Sequence, residues 1–271
     1  MATLSEIESY QNVIDGLSAV AFAQIKTLLL TVDDPNPIVF RDALLDAYPE
    51  LLLPFTDSAA QVSAQWYMEL REGTGITSPF TPVLAASPPK EQLDAGVRYA
   101  LSPVFQPQRF LGSDVLSMLA GFTQRMIADA GRDTISGSTA VETRRTYYQR
   151  VPRAGCCAFC GLLASRGAAY RSASSAGAVQ GRGVDASETA GKVGGQGKGV
   201  QARGSQPIGD RFHDFCRCVV VPKFYDADND YLDYVEKHFS DQYGDVAAEN
   251  GNNARDLKLT LANWRKEFGT K

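Results

Sequence analysis

The chain has 271 residues, of which 44% are hydrophobic and 21% are charged. This composition provides enough apolar surface for one large domain or two modest ones, and it excludes a chain that is disordered throughout. The net charge of −4 is unevenly spread, because residues 144–217 carry twelve Lys and Arg against four Asp and Glu. That basic middle could touch nucleic acid, although its few aromatics and many glycines favour a solvated loop.

The longest apolar run extends from Leu17 to Val32 and is interrupted by polar side chains at Ser18, Gln24, Lys26 and Thr27. We expect this run to be too short and too polar to span a bilayer. The chain begins Met-Ala-Thr-Leu, without a basic and then apolar leader. We therefore expect a soluble protein made in a cytoplasm.

Helical patterns dominate the first half of the chain. Ser5 and Glu8 have the spacing of a capping box, and apolar residues at intervals of three and four predict one helix to about Leu30. A second helix should end at Tyr48, with Pro49 and Pro54 on either side of a break. The further predicted elements are a helix from Asp57 or Ser58 through Leu70, a loop over Gly73–Pro89, a helix over Lys90–Leu101, and a long helix capped by Ser113 and running toward Ile135.

The pattern changes near Arg144. Strand composition is found over Thr146–Val151 and again over Cys218–Tyr225, while Leu162–Tyr170 fits either a helix or a strand. Ser172–Gln206 is rich in glycine and poor in large apolar residues, which predicts a flexible insertion. Two helices, about Asp230–Tyr243 and Asn252–Phe268, close the chain.

The sequence therefore predicts a mainly α protein with a helical N-terminal half and a small α+β C-terminal part. The predicted division is a helical domain over 1–143, a region over 144–225 that contains the cysteines and has the insertion at 172–206, and C-terminal helices over 226–271.

All five cysteines and one of the two histidines lie in two short segments. Cys157 and Cys160 have the C-x2-C spacing of a zinc knuckle, and His213, Cys216 and Cys218 form a second group after a long gap. Soft or borderline ligands in two close pairs suit tetrahedral Zn²⁺, with either Cys216 or Cys218 able to complete the site. Cys156 should point away and be a spare thiol. A disulfide or a set of reduced, buried thiols would also account for the cysteines.

A metal that joins these segments would close a loop of more than fifty residues between Cys160 and His213. Holding both ends at one ion offsets a closure entropy that a segment without its own core could not offset by packing. The expected role of the zinc is therefore structural.

These residues resemble the phage Mu F-like (MuF-like) family of minor head proteins, which has a C-x2-C followed after a variable gap by a histidine and a C-R-C ending. The matching residues are Cys157-x-x-Cys160 and His213-x-x-Cys216-Arg217-Cys218, with Asp214 where the common pattern has proline. The surrounding sequence is similar to that of family members from tailed phages of actinobacteria, at Tyr148–Arg153, Leu163–Gly167, Tyr170–Ser172 and Phe212–Asp214.

The resemblance implies a minor capsid protein inside the phage head near the portal, made in the host cytoplasm. Its expected roles are head morphogenesis and DNA delivery. The implied partners are the portal protein and the major capsid protein, with at most weak DNA contact and with neither a membrane nor a small-molecule substrate.

Two alternatives belong to other classes of protein: a capsid maturation protease and a nucleic-acid-binding module. A protease needs a free histidine base, but His213 is claimed by the ligand cluster and His238 lies in a helical stripe. A Cys157/His213 dyad is conceivable, although thiols grouped with other thiols more often bind metal. A structural role is therefore favoured over an enzymatic one.

Overall fold

The computed structural model describes residues 2–112, 114–168, 215–225, 227–251 and 256–270. This part of the chain is mostly helical with one small sheet, as the sequence predicts. One hydrophobic core runs from the first helix to the sheet and the following helix. The predicted division into three parts stays a prediction. In chain order the elements are α1 (Leu4–Thr31), α2 (Pro37–Gly73), α3 (Lys90–Ala100), α4 (Ser102–Phe105), α5 (Val115–Val141), β1 (Thr146–Val151), α6 (Ala158–Ala164), β2 (Val219–Phe224), α7 (Asp230–Asn250) and α8 (Leu257–Phe268).

Helix α1 begins two residues earlier than a cap at Ser5 requires. The capping box is formed by Thr3 and Glu6, whose carboxylate accepts from the Thr3 backbone N–H at 2.8 Å. The prediction of a Ser5–Glu8 box is therefore wrong, because Thr3 has the extended backbone that an N-cap needs and also has a glutamate three residues later.

Helix α1, which contains most of the Leu17–Val32 run, is long and apolar enough to cross a membrane by length and composition alone. It has 28 residues, and 22% of its most apolar window is buried in the fold. It extends well before Leu17, where the apolar run considered in the sequence begins. Core helices and signal sequences share this composition, so it does not by itself place α1 in a bilayer.

The predicted break at Pro49 and Pro54 is also wrong, because α2 continues through both prolines for 37 residues. A proline inside a helix costs about 3 kcal/mol. The buried face of α2 outweighs this cost through side chains that pack against α1 and α5. These buried apolar residues are Leu44, Leu45, Tyr48, Leu52, Ala59, Ala60, Trp66, Tyr67 and Leu70.

Helices α1, α2 and α5 form the central layer of the core. The Tyr10 and Trp66 rings stack with their centroids 4.1 Å apart, and the Tyr10 hydroxyl lies 2.6 Å from Ser63 Oγ. A Cβ added at Gly131 of α5 would lie 2.8 Å from both of these oxygens, so glycine allows the three helices to approach this closely. Helix α3 packs on α2 and α5 beside them.

Strands β1 and β2 form an antiparallel two-stranded sheet that packs on α5. Their bounds agree with the predicted strands to within one residue at each end. Helix α6, which the sequence left undecided between helix and strand, packs against α7, α8 and β1. A second small cluster joins these helices through Ala158, Leu162, Val246 and Trp264.

Candidate metal centre

The β1–β2 sheet brings the two cysteine segments together. Thr146 pairs with Phe224 at one end of the sheet, and Val151 pairs with Val219 at the other. Because the strands are antiparallel, the chain leaving β1 and the chain entering β2 meet at the Val151–Val219 end. The segment that leads to Cys160 therefore starts beside the segment that carries Cys216 and Cys218.

Three buried cysteines meet at this point. The sulfurs of Cys160, Cys216 and Cys218 all lie within 4.8 Å of one another, and the three residues are only 2–3% exposed. The Cys160 and Cys216 sulfurs are 3.4 Å apart. Thiolates at about 2.3 Å from a tetrahedral Zn²⁺ would be about 3.8 Å apart, so small shifts would allow the three sulfurs to hold one ion. All five cysteines are free thiols, which leaves these ligands available.

Cys157 lies next to this group at the start of α6. It is the N-cap of the helix, and its sulfur accepts from the Cys160 backbone N–H at 3.4 Å. The backbone N–H groups of a first helical turn stabilise a thiolate, which is the form that binds metal. Cys157 does not belong to the three-sulfur group, but its position beside Cys160 keeps it a candidate ligand.

Cys156 was expected to point away from the other thiols. It is half-buried and packs against the main core. Its pKa is raised to about 11, first by burial and then by the neighbouring Cys157 and Cys216. Cys156 thus shares the surroundings of the cluster, although it is not one of the three grouped residues.

His213, the fifth predicted ligand, lies outside the described residues, as do Asp214 and the predicted insertion over 172–206. The described chain resumes at Phe215, whose backbone has a left-handed φ of 62°. This conformation is uncommon for a residue with a side chain, and it turns the backbone into Cys216.

The three grouped thiols differ in acidity. The pKa of Cys216 is lowered, first by hydrogen bonds from the Cys160 and Cys218 thiols and further by the Arg132 guanidinium. The pKa of Cys160 is raised, first because its thiol donates to Cys157 and then to Cys216. A metal ion bound at these sulfurs would displace thiol protons, because cysteine binds metal as the thiolate.

Arg132 of α5 supports the segment that contains Cys216 and Cys218. The residue is 3% exposed, and its guanidinium donates to the backbone oxygens of both cysteines. Asp129, one turn earlier on α5, accepts from the same guanidinium at 2.8 Å. Sequence reasoning missed both residues. Arg132 falls among the buried residues of α5, and a charged residue at such a position was the available signal.

Arg217 lies between the two cysteines in the chain. Its side chain is 51% exposed and forms an ion pair with Asp15 of α1. Asp15 accepts from Arg153, in the other cysteine segment, at 3.0 Å. One carboxylate of the helical half therefore contacts both cysteine segments.

A cavity of about 900 Å³, as formed by the described residues, opens beside the sulfurs. Its lining includes Gln11 of α1, Tyr231 of α7, Phe215 and Cys160. The other histidine, His238, lies on α7 in contact with Tyr234, Phe239 and Gln242.

The chain matches a family described as VG15 protein over residues 1–246. The match contains the helical half, the sheet and both cysteine segments, and it ends inside α7. No curated protein and no solved structure matches the chain.

Proposed function

The chain belongs to the VG15 protein family, a phage-associated family, and on that premise we propose that it is a minor capsid protein of a tailed bacteriophage. The proposed protein lies inside the head near the portal and acts in head morphogenesis and DNA delivery. Family membership supports a protein associated with the virion. The MuF-like cysteine pattern supports the more specific role in the head.

The proposal includes one structural Zn²⁺. The observation that carries it is the meeting of three buried sulfurs, from Cys160, Cys216 and Cys218, at one end of the sheet. Cys157 or His213 would supply the fourth ligand. A thiolate-rich site with four protein ligands has no open position for substrate, which favours a structural ion over a catalytic one.

The zinc would stabilise the fold by closing the loop between Cys160 and Cys216. A covalent cross-link around a loop of this length stabilises a protein by roughly 4 kcal/mol through the entropy of the unfolded chain. A metal bridge between the same segments restricts that chain in a similar way. Without the ion, the three buried thiols would provide only their packing.

The proposed partners are the portal protein and the major capsid protein. Several large apolar side chains of α1 are exposed, among them Val13, Val20 and Leu30, the last of which is 74% exposed. Exposed apolar side chains on one long helix favour contact with another protein. DNA contact should be weak and salt-sensitive, because the basic middle of the chain is offset by acidic residues elsewhere.

Co-expression with the portal and major capsid proteins, followed by purification of the particles, tests this proposal. The wild-type chain should be recovered in the particles, and Cys160→Ser should lower its recovery. Cys156→Ser is the matched control, because it removes a neighbouring thiol outside the three-sulfur group, and its recovery should be that of the wild type.

Three outcomes would overturn the proposal. Particles that never contain the chain would remove the structural role. Cleavage of the major capsid protein by the purified chain, lost when Cys157 or His213 is replaced in a folded variant, would establish the protease. Tight, salt-resistant binding to free DNA would establish the nucleic-acid-binding module.

A further inference from the structure

The Arg132 guanidinium donates hydrogen bonds to the backbone of the segment that contains Cys216 and Cys218. Nε donates to the Cys218 oxygen at 2.9 Å, and Nη2 donates to the Cys216 and Cys218 oxygens at 2.8 and 2.7 Å. A planar guanidinium presents its N–H groups in a fixed fork, so these bonds set the direction of both peptide groups together. The two carbonyls belong to the residues whose sulfurs meet Cys160.

The fork is itself fixed in place. Nη1 donates to Asp129 at 2.8 Å, one turn earlier on α5, and this helix packs on β2. The Asp129 side chain is partly buried, at 25% exposed. Burial raises the pKa of Asp129, and the neighbouring Arg132 guanidinium lowers it. Each charge therefore stabilises the other in surroundings where neither would be stable alone.

The Cys216–Cys218 segment needs such support. Phe215 enters it with a left-handed φ of 62°, and the segment forms no ladder hydrogen bonds until β2 begins at Val219. Unsupported, a backbone of this kind would occupy several conformations, and the two sulfurs would point in different directions.

We infer that Asp129 and Arg132 are a positioning pair, which holds the Cys216–Cys218 backbone in the geometry that binds the metal and thereby couples the metal centre to α5. The inference rests on the proposed structural zinc and adds residues from the helical half to its support. Residues that orient metal ligands typically change metal affinity by about 10–100-fold when they are replaced. Arg132 would act through the ligand backbone rather than as a ligand.

The test compares two buried arginines in the full-length protein. Arg132→Lys keeps the charge but removes the fork. Arg71→Lys is the matched control, because Arg71 is also buried, pairs with buried Glu142 and donates to the backbone oxygens of Ile76 and Ser78. Glu142 precedes β1, whereas the cysteines follow it, so the control pair lies at the opposite end of the sheet.

Zinc affinity is measured by competition with a chromophoric chelator, and ligand geometry is measured from the absorption bands of bound Co²⁺. Arg132→Lys should weaken zinc binding by about 10–100-fold and shift the Co²⁺ bands. Arg71→Lys should lower the unfolding midpoint and leave both readings unchanged. Asp129→Asn keeps the guanidinium while freeing its orientation, and should show a smaller loss of affinity; this variant carries the test if Arg132→Lys does not fold.

The outcomes separate the inference from the proposal on which it rests. A wild-type chain that binds no zinc contradicts the structural zinc itself. If the wild type binds zinc, but Asp129→Asn and any folded Arg132→Lys retain its affinity and its Co²⁺ spectrum, the positioning role is overturned. An equal loss of affinity in Arg71→Lys would also overturn it, because the effect would then be general destabilisation.

Discussion

Gly161, which directly follows Cys160, should not tolerate a methyl group. An ideal Cβ at this position would lie 2.9 Å from Cζ2 and 3.1 Å from Cε2 of Trp264. Favourable carbon contacts lie at about 3.5–4.0 Å, so the overlap is roughly half an ångström or more. Trp264 is fully buried and packs against Ala158, Leu162 and Val246, so its ring has no free space to enter.

Two opposing contributions decide how far Gly161→Ala changes the free energy of unfolding. Overpacking of this kind costs about 1–3 kcal/mol, while replacing glycine by alanine inside a helix gains about 1 kcal/mol. Gly16→Ala in α1 has the same helix gain and no overlap, because nothing lies within 4 Å of its Cβ position. The difference in unfolding free energy between the two variants should therefore be about 1–3 kcal/mol.

Urea denaturation of the wild type and both variants measures this difference. Gly16→Ala should be more stable than the wild type, and Gly161→Ala should be clearly less stable than Gly16→Ala. In thermal melts each kcal/mol corresponds to about 2–4 °C for a chain of this size. Equal stability of the two alanine variants would show that α8 does not pack on α6 as described.

Three further outcomes are expected. Pro54→Ala should stabilise the protein by up to about 3 kcal/mol in urea denaturation, because Pro54 is exposed inside α2; a loss of stability would mean that the core needs a bend there. Burial raises the pKa of Glu142, but hydrogen bonds from Arg71 and the following backbone outweigh it and hold the pKa below the usual 4.5. The stability from this depressed pKa is present above pH 4.5 and is lost as pH falls through the lowered pKa, so Glu142→Gln should be less stable than the wild type at pH 7 by an amount that shrinks in acid. A gap independent of pH would contradict this account. Limited proteolysis should cut first within 172–206, where the sequence has few large apolar residues, and cleavage first within the described helices would contradict that prediction.

Periodicity predicted the helices of this fold better than it predicted their ends. Pro49 and Pro54 carry a strong local signal for a break, and the break is absent because the buried face on both sides of them packs on α1 and α5. A tertiary contact of that size is not visible in a short window of sequence. The Thr3 cap, in contrast, could have been predicted from the sequence, because Glu6 follows three residues later.

The candidate site shows the same difference between local and distant information. Alternate residues of an extended segment project to the same side, so the C-x-C spacing is enough to account for the meeting of the Cys216 and Cys218 sulfurs. The strands that bring Cys160 to them were also predicted, but their pairing depends on the register of β1 against β2. Spacing gave no direct indication of Arg132, because its partners lie more than eighty residues away in the chain.

The most direct test of this account is the metal content of protein purified from a reducing cytoplasm without added metal, measured together with the alkylation of native thiols. The account predicts about one zinc per chain, protection of Cys160, Cys216 and Cys218 from alkylation, and loss of both in Cys160→Ser. A wild-type protein that carries no zinc and whose three cysteines are freely alkylated in the native state would contradict it.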